Sequence, residues 1–195
     1  KMCKENKVNI LHGMMLHGAA FSSITLKKKL NLPLVSHARG SDVQFVKEIN
    51  YGAFLNYKLR NKVQATIDHS NIIIVLSELN KSCLLNNFSC DENKVEVIPN
   101  GIDLDRINKT PICNYRANYK LSKDDFVIIT SGRNKPIKRI ELLFSALSEL
   151  KQYKDIKCLC VGPEGNLKKL VQKYKLTDTV ILAGNIHIMN NANIG

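Results

Sequence analysis

Five aliphatic residues in a row, Ile72-Ile73-Ile74-Val75-Leu76, set the first constraint on the fold. A run this short, apolar and β-branched is expected of a strand buried on both faces of a parallel sheet. Parallel strands need long crossovers between them, usually helical, and the flanking sequence supplies these. Ser77 reads as the N-cap of a helix to about Asn87, followed by a short strand at Val95–Ile98. Upstream, Leu34–His37 is a strand introduced by Pro33. Residues from about Phe54 to Asp68 have helical spacing, with apolar side chains at Phe54, Leu55, Leu59, Val63 and Ile67. Val8–Leu11 is a short apolar run ending at His12-Gly13. Met14–Leu30 then reads as a helix, closed by Lys27-Lys28-Lys29 where cations suit the C-terminal dipole.

The same alternation resumes after residue 103. Phe126–Thr130 is a strand, Ile137–Leu150 a helix, Ile156–Val161 a strand, Leu167–Tyr174 a helix and Val180–Leu182 a strand. Strands and helices at this spacing predict parallel β-α-β units with helices on both faces. The fold class is therefore α/β, in two half-complete Rossmann-like domains over residues 1–103 and 104–195.

The chain has 195 residues, 44% hydrophobic and 24% charged, as in a globular protein rather than a disordered one. No apolar run reaches the length of a membrane span. Net charge is +12, distributed as +4 over residues 1–103 and +8 over residues 104–195. Such a balance favours phosphorylated small molecules, anionic lipid or nucleic acid as partners. The absence of Trp, with no aromatics among the basic clusters, argues against a stacking platform for nucleic acid. The six cysteines form no C-x-x-C pair and have no zinc-type spacing, so reduced thiols in the cytosol are expected. Cys158 and Cys160, two apart in an apolar strand, should face one side as small core residues.

Five stretches carry chemistry. In Val95-Glu-Val-Ile-Pro-Asn-Gly-Ile-Asp103, Pro99 ends the strand and Asn100-Gly101 is expected to turn sharply through positive φ. Ligands bind at such strand tips in open α/β sheets. Ser131-Gly-Arg-Asn-Lys-Pro-Ile-Lys-Arg139 sits between a strand and a helix. Gly132 lets the backbone approach a ligand, Pro136 suits the first helical turn, and four cationic side chains stand within seven residues. With the helix N-terminus, these make a site for a diphosphate. Gly162-Pro-Glu-Gly165 is the next strand-to-helix turn, and Ala183-Gly184-Asn185 ends the following strand. Finally, Leu34-Val-Ser-His-Ala-Arg-Gly-Ser-Asp42 runs from a strand into a loop, with His37 and Arg39 on one face by strand alternation.

Taken in order, these stretches resemble glycosyltransferase family 4, enzymes of the GT-B fold built from an acceptor-side and a donor-side Rossmann-like domain. Ile98–Asp103 resembles the segment closing the first domain, which makes Asn100 and Gly101 cleft and hinge residues. Gly132, Arg133 and Lys138 fall on the family's Gly-Arg-x-x-x-x-Lys pattern, which holds the donor diphosphate. The family usually has Gly after that Lys; this chain has Arg139. Gly162, Gly165 and Gly184 fall on the loop near the donor base and the next strand end. His37 and Arg39 take the catalytic, acceptor-facing positions; many members have His where Arg39 stands. His12, His17 and Gly18 fit a family stretch after an early strand.

The resemblance implies a retaining glycosyltransferase that needs no metal or cofactor. It would move a sugar from a nucleotide-sugar donor to a glycan or lipid-linked acceptor in cell-surface polysaccharide synthesis. Asp103-Leu-Asp105 is accordingly not read as a metal-binding pair. The protein is expected in the cytoplasm, in peripheral contact with the anionic inner face of the membrane, and without nucleic acid as a partner. The family's first strand would precede Lys1 and its glutamate-containing donor motif would follow Gly195; Ile186–Gly195 is short for the next loop and helix. The chain thus reads as a fragment, inactive by itself. Alternatives are a sugar-nucleotide epimerase, a non-catalytic nucleotide-sugar-binding relative, or a basic nucleic-acid module.

Overall fold

A computed structural model describes residues 7–110 and 115–186. It divides into two units, Lys1–Asp105 and Arg106–Gly195. The expectation about Ile186–Gly195 falls, after Ile186, outside the described residues, as do Cys3 and Cys113.

The first unit is a four-stranded parallel sheet of β1 (Leu11–Met14), β2 (Leu34–His37), β3 (Ile72–Val75) and β4 (Val95–Val97), in that order. Its helices are α1 (Ala20–Leu30), α2 (Tyr57–His69) and α3 (Glu78–Asn87); a short α4 (Leu104–Lys109) runs across the boundary at Asp105/Arg106. Asn56 caps α2 by accepting from the Leu59 N–H, and Ser77 caps α3 by accepting from the Asn80 N–H. On α2, Val63, Thr66 and Ile67 are buried at helical spacing, against a core that includes Leu16, Val43, Ile73, Val75 and Leu84.

Three local expectations are corrected here. The run Val8–Leu11 gives only Leu11 to β1, which continues through His12, Gly13 and Met14. Gly13 is a strand residue because α1 packs directly on it: a Cβ there would lie 2.3 Å from the Ala20 Cα. Residues Met15–Ala19 then form one wide turn with a non-helical Gly18, so α1 starts at Ala20 rather than Met14. That turn is fixed by two side chains: Asp42 Oδ2 accepts from the Leu16 N–H, and Thr66 Oγ1 donates to the Leu16 carbonyl. In β3, Ile73 and Val75 are fully buried while Ile72 and Ile74 are half-buried, so one face of the strand is completely covered and the other only partly.

The second unit is a three-stranded parallel sheet of β5 (Phe126–Ser131), β6 (Ile156–Val161) and β7 (Val180–Gly184). It carries α5 (Tyr115–Asn118), α6 (Ile140–Glu149) and α7 (Leu167–Lys173). Phe144, Leu147, Cys158, Cys160, Val171 and Leu176 form its core. Cys158 and Cys160 point to one side, their sulfurs 3.9 Å apart. That contact and burial push the Cys158 thiol above its ordinary range. A register slip between β6 and β7 at Cys160/Val161 sets Gly184, rather than Ala183, opposite Val161. The helix expected at Ile137–Leu150 begins only at Ile140. Pro136–Lys138 forms a separate 3-10 turn, and Arg139 takes a left-handed conformation (φ 53°, ψ 34°) between the two.

Candidate functional site

Each sheet gathers its chemistry at the C-terminal ends of its strands, where open α/β sheets bind ligands. In the second unit, all three strands end on glycine or pass into it. The Gly132 N–H donates to the Val161 carbonyl at 2.9 Å, and the Gly162 N–H donates to the Gly184 carbonyl at 2.7 Å. Gly132, Gly162, Gly165 and Gly184 all have positive φ, at 132°, 130°, 51° and 65°. The demand is strictest at Gly162, where a Cβ would stand 2.5 Å from the Gly132 carbonyl oxygen. The result is a side-chain-free rim at which a ligand can approach the backbone closely.

Cations follow Gly132 in the loop after β5. Arg133, Lys135, Lys138 and Arg139 are all exposed, and no side chain caps the N-terminus of α6. The loop after β5 is tied to the loop after β6 by a hydrogen bond from Asn134 Nδ2 to Asn166 Oδ1. Sequence reasoning overlooked this pair, since two asparagines 32 residues apart carry no motif. Arg139 stands where the family usually has Gly, and it adopts the left-handed backbone that Gly would take without steric cost. Farther along α6, Lys173 Nζ and Tyr174 Oη both donate to Glu141 Oε1, and the Lys173 contact first, then Tyr174, holds the Glu141 carboxyl below its ordinary range.

In the first unit β1, the end of β2 and the segments after β2 and β4 contribute His12, His37, Arg39 and Asn100. The His12 and His37 rings lie parallel, 5° apart in plane, with centroids separated by 5.7 Å. Both His37 ring nitrogens are buried without a hydrogen-bond partner among the described residues. Burial, then the charges of Arg39 and His12, hold His37 below the usual imidazole range, while Asp42 opposes them. Arg39 is exposed, and its guanidinium Nη1 donates to Asn100 Oδ1 at 3.2 Å. Asp42, for which no role is expected from sequence, is fully buried. Its oxygens accept from the backbone N–H groups of Leu16 (3.0 Å) and Arg39 (2.8 Å). His17 lies in the wide turn, its Nδ1 buried and unpartnered.

The expected sharp turn at Asn100-Gly101 is not present. Neither residue has positive φ, and the chain runs from β4 to α4 without a turn there. The Ile98 N–H donates to the Val75 carbonyl, extending the ladder by one bond and carrying Pro99 and Asn100 onward in open conformation. Gly101 itself has open space where a Cβ would be. Among the described residues, no group of three or more His, Cys, Asp or Glu could hold a metal ion, and no helix is long and apolar enough to cross a membrane.

Comparison with known proteins places both units. Residues 1–106 match the family profile described as Glycosyltransferase Family 4, and residues 112–193 match that described as Glycosyl transferases group 1. An uncharacterized glycosyltransferase of Methanocaldococcus jannaschii is 26% identical over 161 residues, covering 79% of this chain and 38% of the relative. Among solved structures, Anabaena HepE in complex with UDP and glucose superposes with a TM-score of 0.72 at 18% identity, over 94% of this chain and 49% of that one. The UDP-GlcNAc 2-epimerase of M. jannaschii shares the fold more loosely, with a TM-score of 0.59 at 15% identity, over 95% of this chain and 53% of that one. The chain thus spans about half the length of the solved structures it matches.

Proposed function

The chain belongs to glycosyltransferase family 4, and from that membership we propose that the protein transfers a sugar from a nucleotide-sugar donor to a glycan or lipid-linked acceptor. The observation that carries this reading is the glycine rim at the ends of β5, β6 and β7, with Arg133, Lys135 and Lys138 exposed in the loop after β5. A diphosphate fits it: the backbone admits close approach, and the cations stand beside an uncapped helix start. Gly132, Arg133 and Lys138 hold the diphosphate, and Gly162, Gly165 and Gly184 line the nucleotide. The second unit is the donor side, beginning near residue 104, and the first is the acceptor side.

In the reaction, the bond between the sugar C1 and the diphosphate oxygen breaks, and the diphosphate leaves with the electron pair. An acceptor hydroxyl oxygen bonds to C1 on the face the diphosphate leaves, which retains the configuration, and the hydroxyl proton passes to the departing diphosphate. Arg133 and Lys138 stabilise the charge that grows on that diphosphate, supplying the electrostatic role that a metal ion plays elsewhere. His37 positions the acceptor hydroxyl, with Arg39 and Asn100 beside it. A net charge of +12 favours peripheral contact with an anionic membrane surface, where lipid-linked acceptors reside.

HepE's complex with UDP supports a uridine diphosphate donor as the first probe. Thermal unfolding of the chain should rise with one nucleoside diphosphate from a panel, and Arg133→Ala and Lys138→Ala should each abolish the rise. A rise that survives both substitutions would remove the diphosphate from this loop.

A further inference from the structure

Arg39 stands beside His37 at the end of β2 and is held by a side chain from the segment after β4. Its guanidinium is fixed to a neutral partner, Asn100 Oδ1, so it is oriented without being neutralised. The nearest carboxylate in sequence, Asp42, is engaged elsewhere. It is fully buried, and its two oxygens are taken by the backbone N–H groups of Leu16 and Arg39. Among the described residues no carboxylate forms an ion pair with Arg39. Guanidinium is permanently charged and presents a planar fork suited to an oxyanion. Two residues earlier, His37 has two buried ring nitrogens without a partner among the described residues, and its ring stacks on His12. A buried polar group without a partner is costly unless a ligand completes it.

From this arrangement we infer that the acceptor is anionic, presenting a phosphate or carboxylate to Arg39 and a hydroxyl to His37. A neutral sugar acceptor would leave the Arg39 fork with nothing to match it. The family's more usual His at this position would titrate with pH, whereas Arg39 keeps its charge throughout the physiological range. The inference rests on the first unit being the acceptor side, as proposed above. Asn100 acts here as a positioning residue, because it orients Arg39.

The test titrates the full chain, labelled at its histidines, with three matched probes: glucose 6-phosphate, glucuronate and glucose. The His37 and His12 ring resonances report binding at this site. One or both anionic probes should shift these signals saturably and glucose should not; which anion binds tells phosphate from carboxylate. Arg39→Gln should weaken the anion about tenfold or more, with Arg39→Lys intermediate, because a charge-assisted fork is lost. Asn100→Ala should weaken it less while leaving the charge in place. Equal responses to all three probes, or anion binding unchanged in Arg39→Gln, would overturn the inference. A nucleoside diphosphate titrated in parallel separates the two readings. If the nucleotide binds and the anionic sugars do not, the anionic-acceptor inference falls and the transferase reading stands. If Arg39→Gln abolishes nucleotide binding, Arg39 serves the donor and the inference falls with it. If neither ligand class binds, both readings fail.

Discussion

Gly162 and Gly132 meet so closely that a Cβ on Gly162 would lie 2.5 Å from the Gly132 carbonyl oxygen and 3.0 Å from its carbonyl carbon. The neighbour is backbone, which cannot rotate aside, and Gly162 also has φ 130°. Gly162→Ala should therefore destabilise the second unit by about 3 kcal/mol, combining overlap with backbone strain. Denaturant unfolding should show the loss. Gly101→Ala is the matched control: with open space and no positive φ it should change stability by no more than about 0.5 kcal/mol.

Arg139 offers the opposite case. Its left-handed backbone is one that glycine adopts freely, and its side chain caps nothing. Arg139→Gly should raise stability by about 0.5–1 kcal/mol, the left-handed penalty outweighing the extra freedom glycine brings to the unfolded chain. Equilibrium unfolding in urea measures it, and a loss instead would show that the side chain stabilises the loop.

Asp42 holds together the wide turn after β1 and the loop after β2 through two backbone N–H groups. Asp42→Asn keeps the size but turns one oxygen into a donor facing an N–H, in a fully buried place. The expected cost is about 2–3 kcal/mol. Asp42→Ala should cost a similar amount, since both N–H groups lose their acceptor.

His37 is held below the ordinary imidazole range by burial, Arg39 and His12, so the folded protein binds its proton less readily than the unfolded chain does. The sign follows directly. Its contribution to stability is complete above the unfolded value of about 6.5 and is lost as pH falls through the folded value. His37→Gln should flatten the stability-versus-pH curve below about pH 6.5. Arg39→Gln should move the His37 titration upward, which imidazole proton resonances can follow.

Cys158 and Cys160 should resist aqueous thiol reagents while the second unit is folded. Both are buried, and Cys158 is held in its protonated form. Labelling should proceed at the unfolding rate or slower; prompt modification in native buffer would contradict the packing.

Much of the architecture can be read from local composition. β6 runs over the residues expected, Ile156–Val161, because a β-branched and cysteine-containing run between polar turns has no competing helical pattern. The start of the chain misleads because Gly13 looks like a terminator, whereas it is a strand residue chosen by the close packing of Ala20, a tertiary contact invisible locally. Asn100-Gly101 has the composition of a turn, yet the ladder bond from Ile98 to Val75 carries the chain past it. At the candidate site, the run of cations from Arg133 to Arg139 is plain in the sequence. The left-handed break at Arg139, the Asn134–Asn166 bond and the role of Asp42 are not, since each depends on residues brought together only by folding.

Both described sheets are assembled strictly in chain order, each strand pairing with the next one to be made. Each strand after the first in its sheet needs only the strand made just before it to form its hydrogen bonds. Such a topology limits every closure to a single crossover and suits folding during synthesis. β1 to β4 can pair while residues beyond 105 are still being added. At each stage the strand made last is the open edge on which the next one pairs.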